Sequence, residues 1–365
     1  MPLLLSPWSM LVLALSLIYA SSLILSTHLQ RNLGGSCLPF TSVSFYFCII
    51  MTIQIFIDGQ AGTTGLQVAD KLANHEAVSL IEIAHDDRKN EAVKKEAYAA
   101  ADVAILCLPD SAAKAAAAMA QDFDAVLIDA STAHRTDPDW VYGMAELSAA
   151  QREAIAETKR ISNPGCYPTG FLSLVRPLRE AGLLDEASAL TIPAVSGYTG
   201  GGNGLIDAFA AKTAPVQFSY GHGLAHKHVP EMMKMAGLTT TPIFMPSVGD
   251  FAQGMLVHVP LHQTQLAKQV TGSDIAAIYQ SYYENSALIT AYDANDSEQL
   301  HDAVFLAADA LAGTDRLEVF THSDDEAGII WLTARLDNLG KGASGAAIQN
   351  MNIAMGLDET AGLSL

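Results

Sequence analysis

The run Ile53–Ile57 (IQIFI), closed by Asp58-Gly59 and followed by Gln60-Ala61-Gly62-Thr63-Thr64-Gly65, constrains the fold of this chain most tightly. A short β-branched run ended by Asp-Gly reads as a buried parallel strand. Beyond the turn, Leu66, Ala69, Leu72 and Ala73 fall on one face of a helix. Further apolar runs follow at Ser79–Ala84, Ala101–Pro109 and Ala125–Ser131, with an alanine-rich helix over Ala112–Gln121. Strands alternating with helices predict an α/β fold with a Rossmann-type parallel sheet. After about residue 165 the texture changes: Leu190–Val195, Met255–Leu261, Arg316–Thr321 and Gly328–Leu336 are strand-like and several are separated by long loops. That pattern predicts an α+β region with a larger sheet, and Ala343–Met355 again reads as helix.

The 365 residues allow two domains. Half of them are hydrophobic and 16% charged, which excludes an extended disordered protein. A net charge of −19 argues against nonspecific binding to nucleic acid or an anionic membrane, since both need a basic field. Cys37, Cys48, Cys107 and Cys166 include no CxxC pair, so neither a disulfide framework nor a zinc ribbon is expected and a reducing, cytoplasmic setting is. Residues 1–50 differ from the rest: Arg31 is their only charged side chain. Met10–Leu25 is apolar enough for a signal peptide or short membrane span but lacks a basic flank, and Val43–Ile50 runs directly into Met51. The reading preferred is upstream sequence translated from an early start codon, with a targeting or membrane segment as the alternative.

Three stretches carry chemistry. In the turn, Gly59, Gly62 and Gly65 are spaced GxxGxxG between strand and helix, where backbone N–H groups and a helix N-terminus suit a dinucleotide pyrophosphate. The segment His85-Asp86-Asp87-Arg88-Lys89 offers both an acid for the ribose 2′-hydroxyl of NAD and a base for the 2′-phosphate of NADP, leaving the choice open. In Ser162-Asn163-Pro164-Gly165-Cys166-Tyr167-Pro168-Thr169-Gly170, Cys166 falls at a helix N-terminus, whose dipole is expected to draw its thiol pKa toward neutrality. Pro177 predicts a kink or early end to that helix, and Cys107, inside a strand, reads as a buried hydrophobe. In His222-Gly-Leu-Ala-His226-Lys-His228-Val-Pro-Glu231 the glycines disfavour a regular helix and the glutamate of HExxH is missing. A histidine acting as acid/base, oriented by Glu231, is therefore preferred to a metal site.

With these residues in view, the chain from Met51 onward closely resembles the short-form N-acetyl-γ-glutamyl-phosphate reductases of arginine biosynthesis, relatives of aspartate-semialdehyde and glyceraldehyde-3-phosphate dehydrogenases. The resemblance lies in GQAGTTG at 59–65, ASTAHR at 130–135, SNPGCYPTG at 162–170, SGYTGGG at 196–202, AHKHVPE at 225–231 and NLGKGASGAAIQNMN at 338–352. It implies an NADP-binding domain over 51–165, completed by a returning C-terminal helix in 340–365, and a catalytic and dimerisation domain over 166–339. Residues 1–50 have no counterpart in that family. It implies NADP(H) held by Gly59, Gly62, Thr63, Thr64, Gly65 and Asn338, with Arg88 or Lys89 on the 2′-phosphate. Cys166 is then the nucleophile, His228 rather than His226 the acid/base, and Glu231 its orienting group, while Arg135, Ser196 and Tyr198 hold an anionic acyl phosphate. No metal, nucleic acid or membrane is implied, and a homodimer or homotetramer is. The rival readings are another acyl phosphate (aminoadipyl or aspartyl), a nucleotide-sensing homologue without turnover, and a membrane-anchored protein using residues 10–25.

Overall fold

The computed structural model describes residues 52–73 and 75–365, so the expectations for Met10–Leu25 and Val43–Ile50 lie outside the described residues. The chain runs β1 (Ile53–Asp58), α1 (Thr63–Leu72), β2 (Val78–Ile81), α2 (Glu91–Ala100), β3 (Val103–Leu106), α3 (Asp110–Ala120), β4 (Val126–Asp129), β5 (Val141–Tyr142), α4 (Ala149–Glu157) and β6 (Arg160–Ser162). It continues through α5 (Cys166–Glu180), β7 (Thr191–Gly197), α6 (Asn203–Ala210), β8 (Gln217–Ser219), α7 (Val229–Ala236), β9 (Ile243–Gly249), β10 (Met255–His262), α8 (Gly272–Tyr282), β11 (Ile289–Ala291), β12 (Leu317–Asp324), β13 (Ile329–Leu336) and α9 (Gly345–Ala354).

The first six strands form a wholly parallel sheet in the order β2-β1-β3-β4-β6-β5. Each interior strand is short and buried on both faces, as the apolar runs predict; β2 is shorter than expected, ending at Ile81 before a 3₁₀ turn at His85–Asp87. The strand order reverses between β1 and β3, and a crevice at the carboxyl ends of such strands is where α/β sheets bind ligands. Gly59 occupies that point with φ +92°, and a Cβ there would stand 2.3 Å from the Cys107 carbonyl oxygen. The glycine is thus required by the close approach of the β1 and β3 exits. Ile348, Met351 and Ile353 of α9 are buried in one core with Ile55, Val68, Ile105 and Ile128, so the end of the chain completes the first sheet's packing.

The second sheet is mixed, in the order β11-β12-β13-β10-β7-β9-β8, with β7/β9 and β11/β12 parallel and the other pairs antiparallel. One face is covered by α5 and α8: Phe171, Leu174, Val175 and Ile275 pack with Val257, Val259, Leu332 and Leu336. On the other face Ile243 (56% exposed), Met245 (53%), Ile329 (47%) and Trp331 (54%) stand open to solvent. No helix among the described residues is long and apolar enough to cross a membrane.

Pro177 neither ends nor breaks α5, which continues to Glu180. Proline has no N–H, so the Ser173 carbonyl loses its partner one turn back. Tyr283 supplies the replacement, its hydroxyl donating to Ser173 O at 2.9 Å, and the neighbouring Tyr279 hydroxyl donates to Leu174 O at 2.6 Å. Before α9 the chain makes a π-helical turn, Gly340–Ser344, which overlaps the start of the helix expected over Ala343–Met355. That turn lies against the start of α5: a Cβ on Gly342 would be 2.8 Å from Cys166 Cβ. Lys341 beside it is buried and pairs with Glu146 at 2.6 Å.

Tyr283→Phe leaves the Ser173 carbonyl buried and unpaired and is expected to lower stability by about 1–3 kcal/mol in urea unfolding. In a Pro177→Ala background, where a backbone N–H returns, the same change is expected to cost measurably less.

Candidate active site

The N-terminus of α5 opens into a cavity of about 660 Å³ lined by Cys166, Arg135, His226, His228, Ser196 and Asn338, with Thr64 and Ala130 on the nucleotide side. Cys166 is the first residue of α5, where the sequence places it. Gly165 precedes it because nothing larger fits: a Cβ there would meet Arg135 Nη1 at 2.6 Å and His228 Nε2 at 2.7 Å. These two side chains therefore flank the nucleophile's own turn.

Glu231 organises the group. One carboxylate oxygen accepts from the Gly165 backbone N–H at 2.8 Å and the Tyr142 hydroxyl at 2.6 Å, while the other pairs with Arg135 Nη1 at 3.1 Å. Arg135 is buried, and it also donates to the carbonyls of Asn163 (2.8 Å) and Ala130 (3.0 Å). The role expected of Glu231 is therefore corrected: its hydrogen bonds go to Arg135, Tyr142 and Gly165, and none to an imidazole. His228 caps α7, with Nδ1 buried and unpartnered. His226 Nδ1 accepts from the His228 backbone N–H at 3.1 Å, so His226 holds the loop while His228 Nε2 faces Gly165. His222 lies away from both, within 3.3 Å of Ser219 Oγ.

The thiol differs from expectation. Burial pushes Cys166 up to about 11, although Arg135 and the backbone amides at the start of α5 pull it down. A helix N-terminus contributes only about 0.3–1 kcal/mol, whereas a rise of this size is on the order of 3 kcal/mol against the thiolate. Burial wins, and the resting side chain is a thiol. Burial, then the charges of Arg135, His226 and Lys227, hold the His228 imidazole well below its usual range, so it is neutral at pH 7 and free to accept a proton.

Of the other expected residues, Ser196 and Asn338 line the cavity. The Asn338 amide accepts from Gly254 N–H at 2.9 Å and donates to Thr199 Oγ1 at 3.1 Å, fixing the glycine-rich loop after β7. Tyr198 is not among the lining residues; its ring stacks on Phe209 at 4.8 Å, and Gly197, Gly200 and Gly201 of the same loop form the wall instead. Three residues with sites of their own went unassigned in the sequence. They are Tyr142, Asn163, whose amide donates to Ala343 O and accepts from Asn350, and Lys227, which lines the cavity.

A second cleft, of about 450 Å³, runs along Phe56–Ala61 to Arg88, Lys89 and Lys94. The residues present fit a dinucleotide. Gly62 caps α1 without a side-chain cap, the first turn of α1 holds no acid, and a Cβ on Gly62 would meet nothing closer than 3.5 Å, so the helix's free N–H groups are approachable. Gly65 serves packing, since a Cβ there would lie 2.5 Å from Gly59 O, and Thr63 reaches Asn203 at 3.2 Å. Lys94 is neutralised by Asp58 at 2.5 Å, whereas Arg88 and Lys89 make no ion pair among the described residues. Two uncommitted cations just beyond the 3₁₀ turn that follows β2 suit a 2′-phosphate.

Comparison with known proteins decides the family. The semialdehyde dehydrogenase NAD-binding domain matches residues 54–157 and the semialdehyde dehydrogenase dimerisation domain residues 166–338. N-acetyl-γ-glutamyl-phosphate reductase of Trichormus variabilis is 46% identical over 318 residues, covering 85% of this chain and 99% of that protein. The Brucella canis protein of the same name is 45% identical over 312 residues, covering 84% of this chain and all (100%) of its own. The chain belongs to the N-acetyl-γ-glutamyl-phosphate reductase family. It is an oxidoreductase, and its cofactor is NADP. Among solved structures, aspartate semialdehyde dehydrogenase from Francisella tularensis (TM-score 0.65, 12% identity, 83% of this chain and 100% of that one) shares the reductase's fold. So does the Vibrio cholerae aspartate semialdehyde dehydrogenase II complexed with ASA (TM-score 0.63, 14% identity, 83% and 98%).

In the ligand-free reductase, the rate of Cys166 alkylation by iodoacetamide is expected to keep rising with pH beyond pH 9, because the raised pKa leaves little thiolate at neutrality. A plateau reached near pH 7 would contradict the raised thiol pKa.

Proposed function

We propose that this reductase catalyses the NADPH-dependent reductive dephosphorylation of N-acetyl-γ-glutamyl phosphate to N-acetylglutamate 5-semialdehyde, a step of arginine biosynthesis, through a cysteine thioester. The observation that carries the reading is the convergence of Cys166, His228 and Arg135 at one helix start, inside a cavity that nucleotide-side residues also line. The names of its relatives support the substrate.

Cys166 Sγ attacks the acyl carbon; a C–S bond forms, the C–O bond to phosphate breaks, and the thiol proton passes to the neutral His228 imidazole. The imidazole is neutral at rest and so has a free nitrogen to take that proton, while its depressed pKa makes the transfer uphill until the positive charge around it is offset. NADPH, when bound, supplies the hydride that brings the acyl carbon to the aldehyde level. His228 then protonates the resulting alkoxide and takes the proton back as the C–S bond breaks, regenerating Cys166. Arg135, held on three sides, presents a fixed positive charge beside the reacting sulfur rather than a mobile clamp. Gly62 and the first turn of α1 would hold the pyrophosphate, Arg88 with Lys89 the 2′-phosphate, and Thr64 and Asn338 border the reactive end. The two sheets and the packing of α9 support a division into 51–165 with 340–365, and 166–339.

A small acyl phosphate is the partner in solution. The open apolar face of the second sheet, in the region matching a dimerisation domain, supports pairing with a second copy as a homodimer or a homotetramer. A cytoplasmic location suits a reduced Cys166.

Cys166→Ser is expected to abolish phosphate-dependent reduction of NADP⁺ by N-acetylglutamate semialdehyde while NADPH binding, followed by fluorescence titration, survives; retained turnover would remove the thioester route. His228→Asn is expected to slow turnover about 10²–10⁴-fold, and a larger loss in His226→Asn would exchange the two assignments.

A further inference from the structure

The substrate proposed above carries two anionic ends, a carboxylate and a phosphate. Arg135 and Lys227 are the two permanently charged cations lining the cavity. Arg135 is committed: it is buried, paired with Glu231 and bonded to two carbonyls. Lys227 is exposed and makes no ion pair or side-chain hydrogen bond among the described residues. It sits between the two histidines, in the loop that His226 pins by its bond to the His228 backbone.

We propose that Lys227 is the phosphate-binding residue of the site, taking the tetrahedral anion of the acyl phosphate in one direction and inorganic phosphate in the other. The inference rests on the acyl-phosphate reading and deepens it. The phosphate is bonded to the carbon that Cys166 attacks, so it stands beside the reacting centre, whereas the carboxylate lies several carbons away. Lys227 directly precedes His228, whose Nε2 faces the Gly165 turn, and it lines the same cavity as Cys166, within which the phosphate must leave. An ammonium on a flexible stem suits an anion that enters and departs, while a guanidinium locked by three protein partners does not. Burial lowers the His226 and His228 imidazoles and the Thr132 hydrogen bonds lower the Asp110 carboxyl, and the Lys227 charge adds to each in the same direction. The hydrogen bonds of Asp110 come from the Thr132 N–H at 3.0 Å and the Thr132 hydroxyl, and those of Glu231 from Arg135, Tyr142 and Gly165, so neither carboxylate is bonded to the lysine. Phosphate bound there offsets the positive charge around His228, and so makes the imidazole a better proton acceptor when Cys166 must lose its proton.

The test is steady-state kinetics of the full chain in the oxidative direction, with inorganic phosphate and N-acetylglutamate semialdehyde varied separately. Lys227→Met is expected to raise KM for phosphate about tenfold or more, the loss typical of a charge-assisted hydrogen bond, and to leave KM for the semialdehyde within about twofold. Lys227→Arg, which keeps the charge, is expected to restore most of the phosphate affinity. An unchanged KM for phosphate in Lys227→Met, or a rise confined to the semialdehyde, overturns the assignment while leaving the reductase reading intact. Wild-type protein that shows no phosphate-dependent reduction of NADP⁺ overturns the reading on which it rests.

Discussion

One buried carboxylate holds the reactive centre in register. Glu231, on the first turn of α7, receives the backbone N–H of Gly165, the Tyr142 hydroxyl and the Arg135 guanidinium, and so ties three segments of the chain to the turn that presents Cys166. A carboxylate out of water is costly unless its lone pairs are used; here the arginine balances its charge and two further donors complete the set. The cationic side chain beside the sulfur is thereby fixed in place. Burial outweighs the pull of Arg135 on the thiol, and the Glu231 charge adds to burial in a smaller way.

The resting site is accordingly uncharged at its two reacting groups, a thiol and a neutral imidazole. Such an arrangement limits alkylation and oxidation of the sulfur while the site stands empty, because the thiolate is the reactive form.

Much of this was legible in the amino-acid order. Short β-branched runs gave the buried parallel strands, and the turn after Ser162 placed Cys166 at the first residue of a helix, with Gly165 extended just before it. What local pattern could not reveal was decided at long range. Tyr142 and Arg135 lie 89 and 96 residues from Glu231, so no spacing rule joins them to it. The hydroxyl that rescues the helix at Pro177 comes from 110 residues beyond its acceptor. Tyr198 turned out of the cavity because Phe209 offers it a stacking partner, and the thiol's pKa followed from burial, a property of the packed molecule and not of a helix end.

The π-helical turn that abuts Cys166 through Gly342, and the final helix that completes the first sheet's core, both come from the last few dozen residues. During synthesis the cysteine is therefore made long before its surroundings can exist. A product truncated before Gly340 lacks one wall of the pocket, so emergence of the nucleophile does not by itself make a competent site.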